Sequence, residues 1–183
     1  MQRGIYLNPE SSTASNNLGN YYFTTGQNEK AFYYFNKSVS LDDKNDKAWI
    51  NLGVYYSSVG DQENAIYAFD MALSINENNY IAMEKKGIAL IRLEKYQEAE
   101  SLFLKSISIN PYYYKSYARL GVLYFDINQT EKSVEYFTKA ISIDPYYAEP
   151  YYDLGIIYQN AGQTEQSQKY LAMAAYLDPK YRN

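Results

Sequence analysis

The chain has 183 residues, a formal net charge of −4 and 46% hydrophobic residues, a balance that suits a folded protein and leaves no cationic field for a phosphate backbone, so nucleic acid is not an expected partner. It contains no histidine and no cysteine, which removes Ser-His-Asp and Cys-His nucleophiles, disulfides and the usual ligands of zinc; no catalytic residue, metal or cofactor is expected. No stretch approaches the roughly 18 apolar residues that span a bilayer, no targeting signal is visible, and the expectation is a soluble chain whose compartment stays open, the cytoplasm slightly favoured.

In chain order, residues 1–11 come first and carry Ile5, Leu7, Asn8 and Pro9 in frame with Ile141, Ile143, Asp144 and Pro145. They read as the tail of a preceding repeat or as a lead-in. From residue 12 the sequence repeats every 34 residues without an insertion, giving units 12–45, 46–79, 80–113, 114–147 and 148–181. The eighth position is Gly19, Gly53, Gly87, Gly121 and Gly155, preceded by Leu everywhere except at Lys86. Tyr22, Tyr56, Leu90, Tyr124 and Tyr158 occupy the eleventh position, and Ala31, Ala65, Ala99, Ser133 and Ser167 the twentieth. Position twenty-four is Phe35, Phe69, Phe103, Phe137 and Leu171.

Each unit predicts two helices. The seventh, eighth and eleventh positions share one face of a first helix, and Gly set against the small residue of position twenty lets the two axes approach to about 8 Å. The fifteenth position, Gly26, Gly60, Glu94, Asn128 and Gly162, predicts a left-handed residue that ends the first helix. Glu94 breaks that rule and predicts a strained or different turn in the third unit. Asp43 and Glu77 stand where later units carry Pro111, Pro145 and Pro179, which predicts looser turns after the first two units. In the last unit Gln168, Leu171 and Ala175 make the second helix less apolar than its equivalents, as a terminal repeat requires.

This pattern, completed by Trp49, Tyr117 and Tyr151 at the fourth position, resembles the tetratricopeptide repeat family from Ser12 to Tyr181. The resemblance implies an all-α fold, a right-handed α-solenoid of five helix-turn-helix repeats forming a single domain over residues 12–181. Helical periodicity points the second, fifth, sixth, ninth and thirteenth positions away from the hairpin core; in the resembling family that surface lines a concave groove. The candidate partner-binding residues are accordingly Asn17, Asn20, Asn51, Val54, Lys85, Ile88, Lys115, Arg119, Val122, Phe125, Tyr152 and Ile156.

Val54, Ile88, Val122 and Ile156 form an apolar stripe that either seals neighbouring first helices or receives an apolar ligand. Asn17 and Asn51 resemble the asparagines with which family members hold a peptide backbone. The family's carboxylate clamp for a chaperone's acidic C-terminus is incomplete: Asn16 and Ile81 stand where one window needs Lys, and Ile50 and Val54 interrupt the next. Lys85, Lys115 and Arg119, with Glu84 as the nearby acid, predict a basic centre for an acidic residue or free C-terminus; the alternative is pairing with Glu84, Glu149 and Asp153. Asp126 and Asp153, the conceivable carboxylate pair of a glycosidase, read instead as surface charge or a bridge to Arg119. Tyr112, Tyr113, Tyr114, Tyr146 and Tyr147 crowd two turns, as interface rings or as packing between turns.

The function this predicts is a non-catalytic scaffold or adaptor that binds a peptide or helical segment of another protein in its groove. Two alternatives remain, a regulatory array belonging to a larger enzyme and a self-associating scaffold.

Overall fold

The computed structural model describes residues 11–182, so the lead-in with Ile5, Leu7, Asn8 and Pro9 lies outside the described residues. Those residues form ten α-helices and one short 3-10 helix, with no strand among them. The chain divides into two compact units, Met1–Glu94 and Lys95–Asn183, a cut that falls between the two helices of the third repeat. The N-terminal unit holds α1 (Ser12–Thr24), α2 (Asn28–Leu41), α3 (Asp46–Ser58), α4 (Gln62–Ile75) and α5 (Tyr80–Arg92). The C-terminal unit holds α6 (Tyr96–Ile109), α7 (Tyr114–Asp126), α8 (Thr130–Ile143), α9 (Ala148–Asn160), α10 (Thr164–Leu177) and η1 (Pro179–Tyr181). Among the described residues no helix is long and apolar enough to cross a membrane.

First helices end alike. Gly26, Gly60 and Gly162 adopt φ of 74°, 89° and 72°, and Glu94 and Asn128 adopt 59° and 60°. Glu94 therefore makes the same left-handed turn as its equivalents at the cost of strain, and the turn itself is not of a different kind. The turns lacking Pro keep the backbone bond of the others, longest in the first of them. Asn45 and Asn79 donate their backbone N–H to the carbonyls of Asp42 and Asn76 at 3.4 and 3.1 Å, as Tyr113 and Tyr147 donate to Asn110 and Asp144 at 3.0 and 3.2 Å. Where Pro is missing an Asn caps the next helix instead, its side chain accepting from Ala48 at 3.2 Å and Ala82 at 3.0 Å, which satisfies one of the free donors of a helix start. The fourth-position aromatic ties the same turn: Trp49 Nε1 donates to the Asp43 carbonyl at 2.8 Å, and the Tyr117 hydroxyl to that of Pro111 at 3.1 Å.

Within the hairpins the glycine faces more than a small residue. A Cβ added at Gly19, Gly53 or Gly121 would lie 2.5, 2.6 and 2.6 Å from the ring of Phe35, Phe69 or Phe137, each ring fully buried. In the fourth repeat the small residue of position twenty meets the glycine's backbone, Ser133 Oγ donating to the Gly121 carbonyl at 2.8 Å. What the missing side chain admits is the phenyl ring of position twenty-four, and Leu171 takes that place over Gly155. The abundant tyrosines add a second recurring contact: Tyr22 stacks on Tyr34, Tyr124 on Tyr136 and Tyr158 on Tyr170, each with centroids 5.3 Å apart. Stacked rings of this kind bury area and need a partner for the hydroxyl where it is covered, as the buried Tyr124 donates to Glu100.

Two stability changes are expected. Gly121→Ala adds helix propensity of about 1 kcal/mol, yet its Cβ would press into the buried Phe137 ring at an overpacking cost of about 1–3 kcal/mol, so urea unfolding should show a net loss of up to about 2 kcal/mol; a variant stabilised by the full helix-propensity gain would refute the ring-on-glycine packing. Glu94→Gly removes a left-handed non-glycine residue that costs about 1–2 kcal/mol, offset in part by unfolded-chain entropy. Its denaturation midpoint should rise, and a fall would show that Glu94 is not strained.

Candidate functional site

Within each unit, consecutive first helices leave a small cleft between them. In the N-terminal unit a cavity of about 200 Å³ between α3 and α5 is lined by Val54, Ser57, Ser58, Lys85, Ile88 and Arg92, with Phe69 of α4 as its floor. The C-terminal unit has one of about 250 Å³ between α7 and α9, lined by Val122, Phe125, Tyr152, Asp153 and Ile156 over Phe137 of α8. The two clefts are built from the same repeat positions: the ninth and twelfth of one repeat, the sixth and ninth of the next, and the phenyl ring that also sits on the glycine. Val54 packs against the Ala65–Phe69–Ala89 core and Val122 against the Phe137–Leu154–Ile157 core. The apolar stripe thus both seals neighbouring helices and lines an open cleft.

Seven of the candidate residues, Val54, Lys85, Ile88, Val122, Phe125, Tyr152 and Ile156, fall in these two cavities. The remaining five do not line them. Asn17 is exposed and Asn20 half-buried on α1. Asn51 donates its amide to Asn16 Oδ1 at 2.9 Å, so it ties α3 to α1. Lys115 sits over the Tyr114 ring, 6.0 Å from its centroid. Arg119 grips Glu149 in a two-point pair, Nη1 to Oε1 at 2.8 Å and Nη2 to Oε2 at 3.3 Å, and Lys85 Nζ lies 3.0 Å from Glu84. Two of the three cations of the expected basic centre, Lys85 and Arg119, thus have an acid beside them, the one at Arg119 coming from the next repeat. Tyr152 is also partly covered, its ring stacked on Tyr181 of η1 at 4.7 Å.

Family models described as tetratricopeptide repeat match residues 12–45, 46–79, 81–113, 114–147 and 136–169. Among solved structures the chain is similar to MamA, with 24% identity over 89% of this chain and 95% of that one at a TM-score of 0.70. It is similar to TTC0263, a thermophilic TPR protein in Thermus thermophilus, at 15% identity, 93% of each chain and a TM-score of 0.83. YrrB, described as a TPR protein with an unusual peptide-binding site, aligns at 20% identity over 94% of this chain and 89% of its own, with a TM-score of 0.63. No curated protein sequence matches.

Asp153 is the residue that the sequence undervalued. It makes no bridge to Arg119, which Glu149 holds, and its Oδ2 is buried without a hydrogen-bond partner. Burial pushes its carboxyl up to about 7, helped by the charges of Glu149 and Asp126 and opposed by Arg119. Glu149 goes the other way: burial disfavours its charge, but the Arg119 guanidinium and the Tyr147 hydroxyl hold it below its ordinary value. An acid whose folded pKa lies above its unfolded one stabilises the fold fully below the unfolded pKa, and that contribution is lost as pH climbs through the folded value. For Asp153 the window runs from about pH 4 to about pH 7. Each pH unit between the two values is worth about 1.4 kcal/mol, so Asp153→Asn should melt several degrees above the wild type at pH 8 and close to it at pH 4. A melting difference that stays constant from pH 4 to pH 8 would contradict the burial of an ionising Asp153.

Proposed function

This chain belongs to the tetratricopeptide repeat family, and on that premise we propose that it is a non-catalytic adaptor that holds a segment of another protein in the clefts between its first helices. One observation carries the reading: the same repeat positions build an apolar cleft in both units, between α3 and α5 and again between α7 and α9. At about 200 and 250 Å³ each falls below the roughly 300–1,000 Å³ of a small-molecule site and suits a single side chain of a peptide. Half-buried Val, Ile and Tyr and the exposed Phe125 at the walls supply apolar anchors, and polar groups at one repeat position supply orientation. YrrB, which shares the fold, is described as having a peptide-binding site of its own; that likeness supports the class of ligand and carries no residue over.

The test is site-specific photocrosslinking in cells of the source organism. A benzophenone amino acid placed at Ser58 or Phe125, both exposed at a cleft wall, should yield a discrete adduct with a partner polypeptide. The same group at Tyr33 or Tyr67, exposed on the second helices α2 and α4, should not. Equal adducts from all four positions, or adducts from the second helices alone, would overturn the cleft as the binding surface.

A further inference from the structure

The two clefts differ in charge at one repeat position. The sixth residue of the downstream helix is Lys85 in the α3–α5 cleft and Asp153 in the α7–α9 cleft. Lys85 has a carboxylate 3.0 Å away. Asp153 is half-buried, one of its oxygens shut off from water and accepting no hydrogen bond, and the residue lines a cavity together with Val122, Phe125, Phe137, Tyr152 and Ile156. The charges that act on it are Glu149 from its own helix, Asp126 and Arg119 from α7, and in η1 the Tyr181 phenol beside Lys180. Arg119 gives both its terminal nitrogens to Glu149, and Lys180 lies 3.0 Å from Asp178. Of the three carboxylates around this cleft, Glu149 holds the guanidinium, and the nearby cations are engaged away from Asp153.

Building on the reading of the clefts as partner-binding sites, we propose that the α7–α9 cleft is the subsite for a basic residue of the partner segment, a Lys or Arg whose methylene stem packs on Val122, Phe125 and Ile156 while its cationic head pairs with the Asp153 carboxylate. Long basic side chains combine an apolar stem with a charged tip, and the cleft offers the matching order, apolar walls and a carboxylate. A buried carboxylate without a counter-ion is costly, and a charge-assisted hydrogen bond from the ligand removes that cost. An acidic side chain would add a fourth anion. A neutral acceptor, such as a carbonyl, could be held only by the protonated acid.

These occupants differ in the sign of their pH dependence. Asp153 ionises near neutrality, so pairing with a cation expels its proton and binding strengthens as pH rises from 6 to 8. Capture of a carbonyl by protonated Asp153 would weaken over the same range. The experiment titrates the full chain, by amide NMR at Val122, Phe125 and Ile156, with the blocked pentapeptide acetyl-Ala-Leu-Lys-Leu-Ala-amide and with its Gln and Glu counterparts. The Lys peptide should bind about tenfold more tightly than the Gln peptide at pH 8, with a smaller margin at pH 6. The Glu peptide should bind most weakly. Asp153→Asn should erase the Lys-over-Gln preference, the two peptides then binding with equal affinity at pH 8 as at pH 6. Equal affinity for Lys and Gln, a preference that survives Asp153→Asn, or Lys binding that weakens with rising pH would each overturn the basic-residue subsite and leave the peptide-holding cleft standing. If none of the three peptides moves those amides, both the subsite and the adaptor reading fall.

Discussion

A phenyl ring seated on a glycine is the contact from which the first, second and fourth hairpins take their geometry. Phe35, Phe69 and Phe137 occupy the space that a Cβ on Gly19, Gly53 or Gly121 would need, and all three rings are fully buried. Truncating a buried Phe costs about 3–5 kcal/mol, so the glycine's poor helix propensity, about 1 kcal/mol, is outweighed by the ring it admits. The last hairpin keeps the arrangement with Leu171 over Gly155, which shows that the space beside the glycine must be filled by a large apolar group and need not be filled by an aromatic one.

The same ring serves a second purpose. Phe69 and Phe137 are also the floors of the clefts between consecutive first helices. Hairpin packing and cleft shape are therefore one constraint, and a change that loosens the ring would alter both. Around this constant floor the repeat varies at its sixth position, Asn17, Asn51, Lys85, Arg119 and Asp153. A protein built this way can hold its scaffold fixed and change the polarity of a cleft by one residue per repeat, which is how a repeat array acquires specificity without altering its core.

The charged side chains follow a different logic from the core. Asn51 is tied to Asn16, Lys85 lies against Glu84 and Arg119 is held by Glu149. Each arrangement uses a residue that differs from repeat to repeat, so none recurs. Asp153 is what remains when Glu149 claims the guanidinium. The consequence is a carboxyl that ionises near neutrality, inside a unit whose apolar packing otherwise follows the repeat.

The fold and much of the candidate site were legible in the sequence because both depend on spacing along one chain. Gly and Tyr recurring in register specify which face of a helix is apolar, and this placed the helices, the left-handed turns and seven residues of the two clefts. Spacing could not tell that the glycine is filled by the position-twenty-four ring rather than by the small residue of position twenty, since that depends on the crossing of two helices. Nor could it tell that Asn45 and Asn79 cap the helices that follow the turns without proline. Ion pairing was further still from the sequence. Whether Arg119 meets Glu149 or Asp153 turns on a few ångströms between α7 and α9, and Coulomb energy and desolvation change steeply over that distance. The repeat by itself determined the helices and their buried faces; only the tertiary structure decided which carboxylate took the guanidinium, because Arg119 and Glu149 stand 30 positions apart in the chain and only packing brings them together.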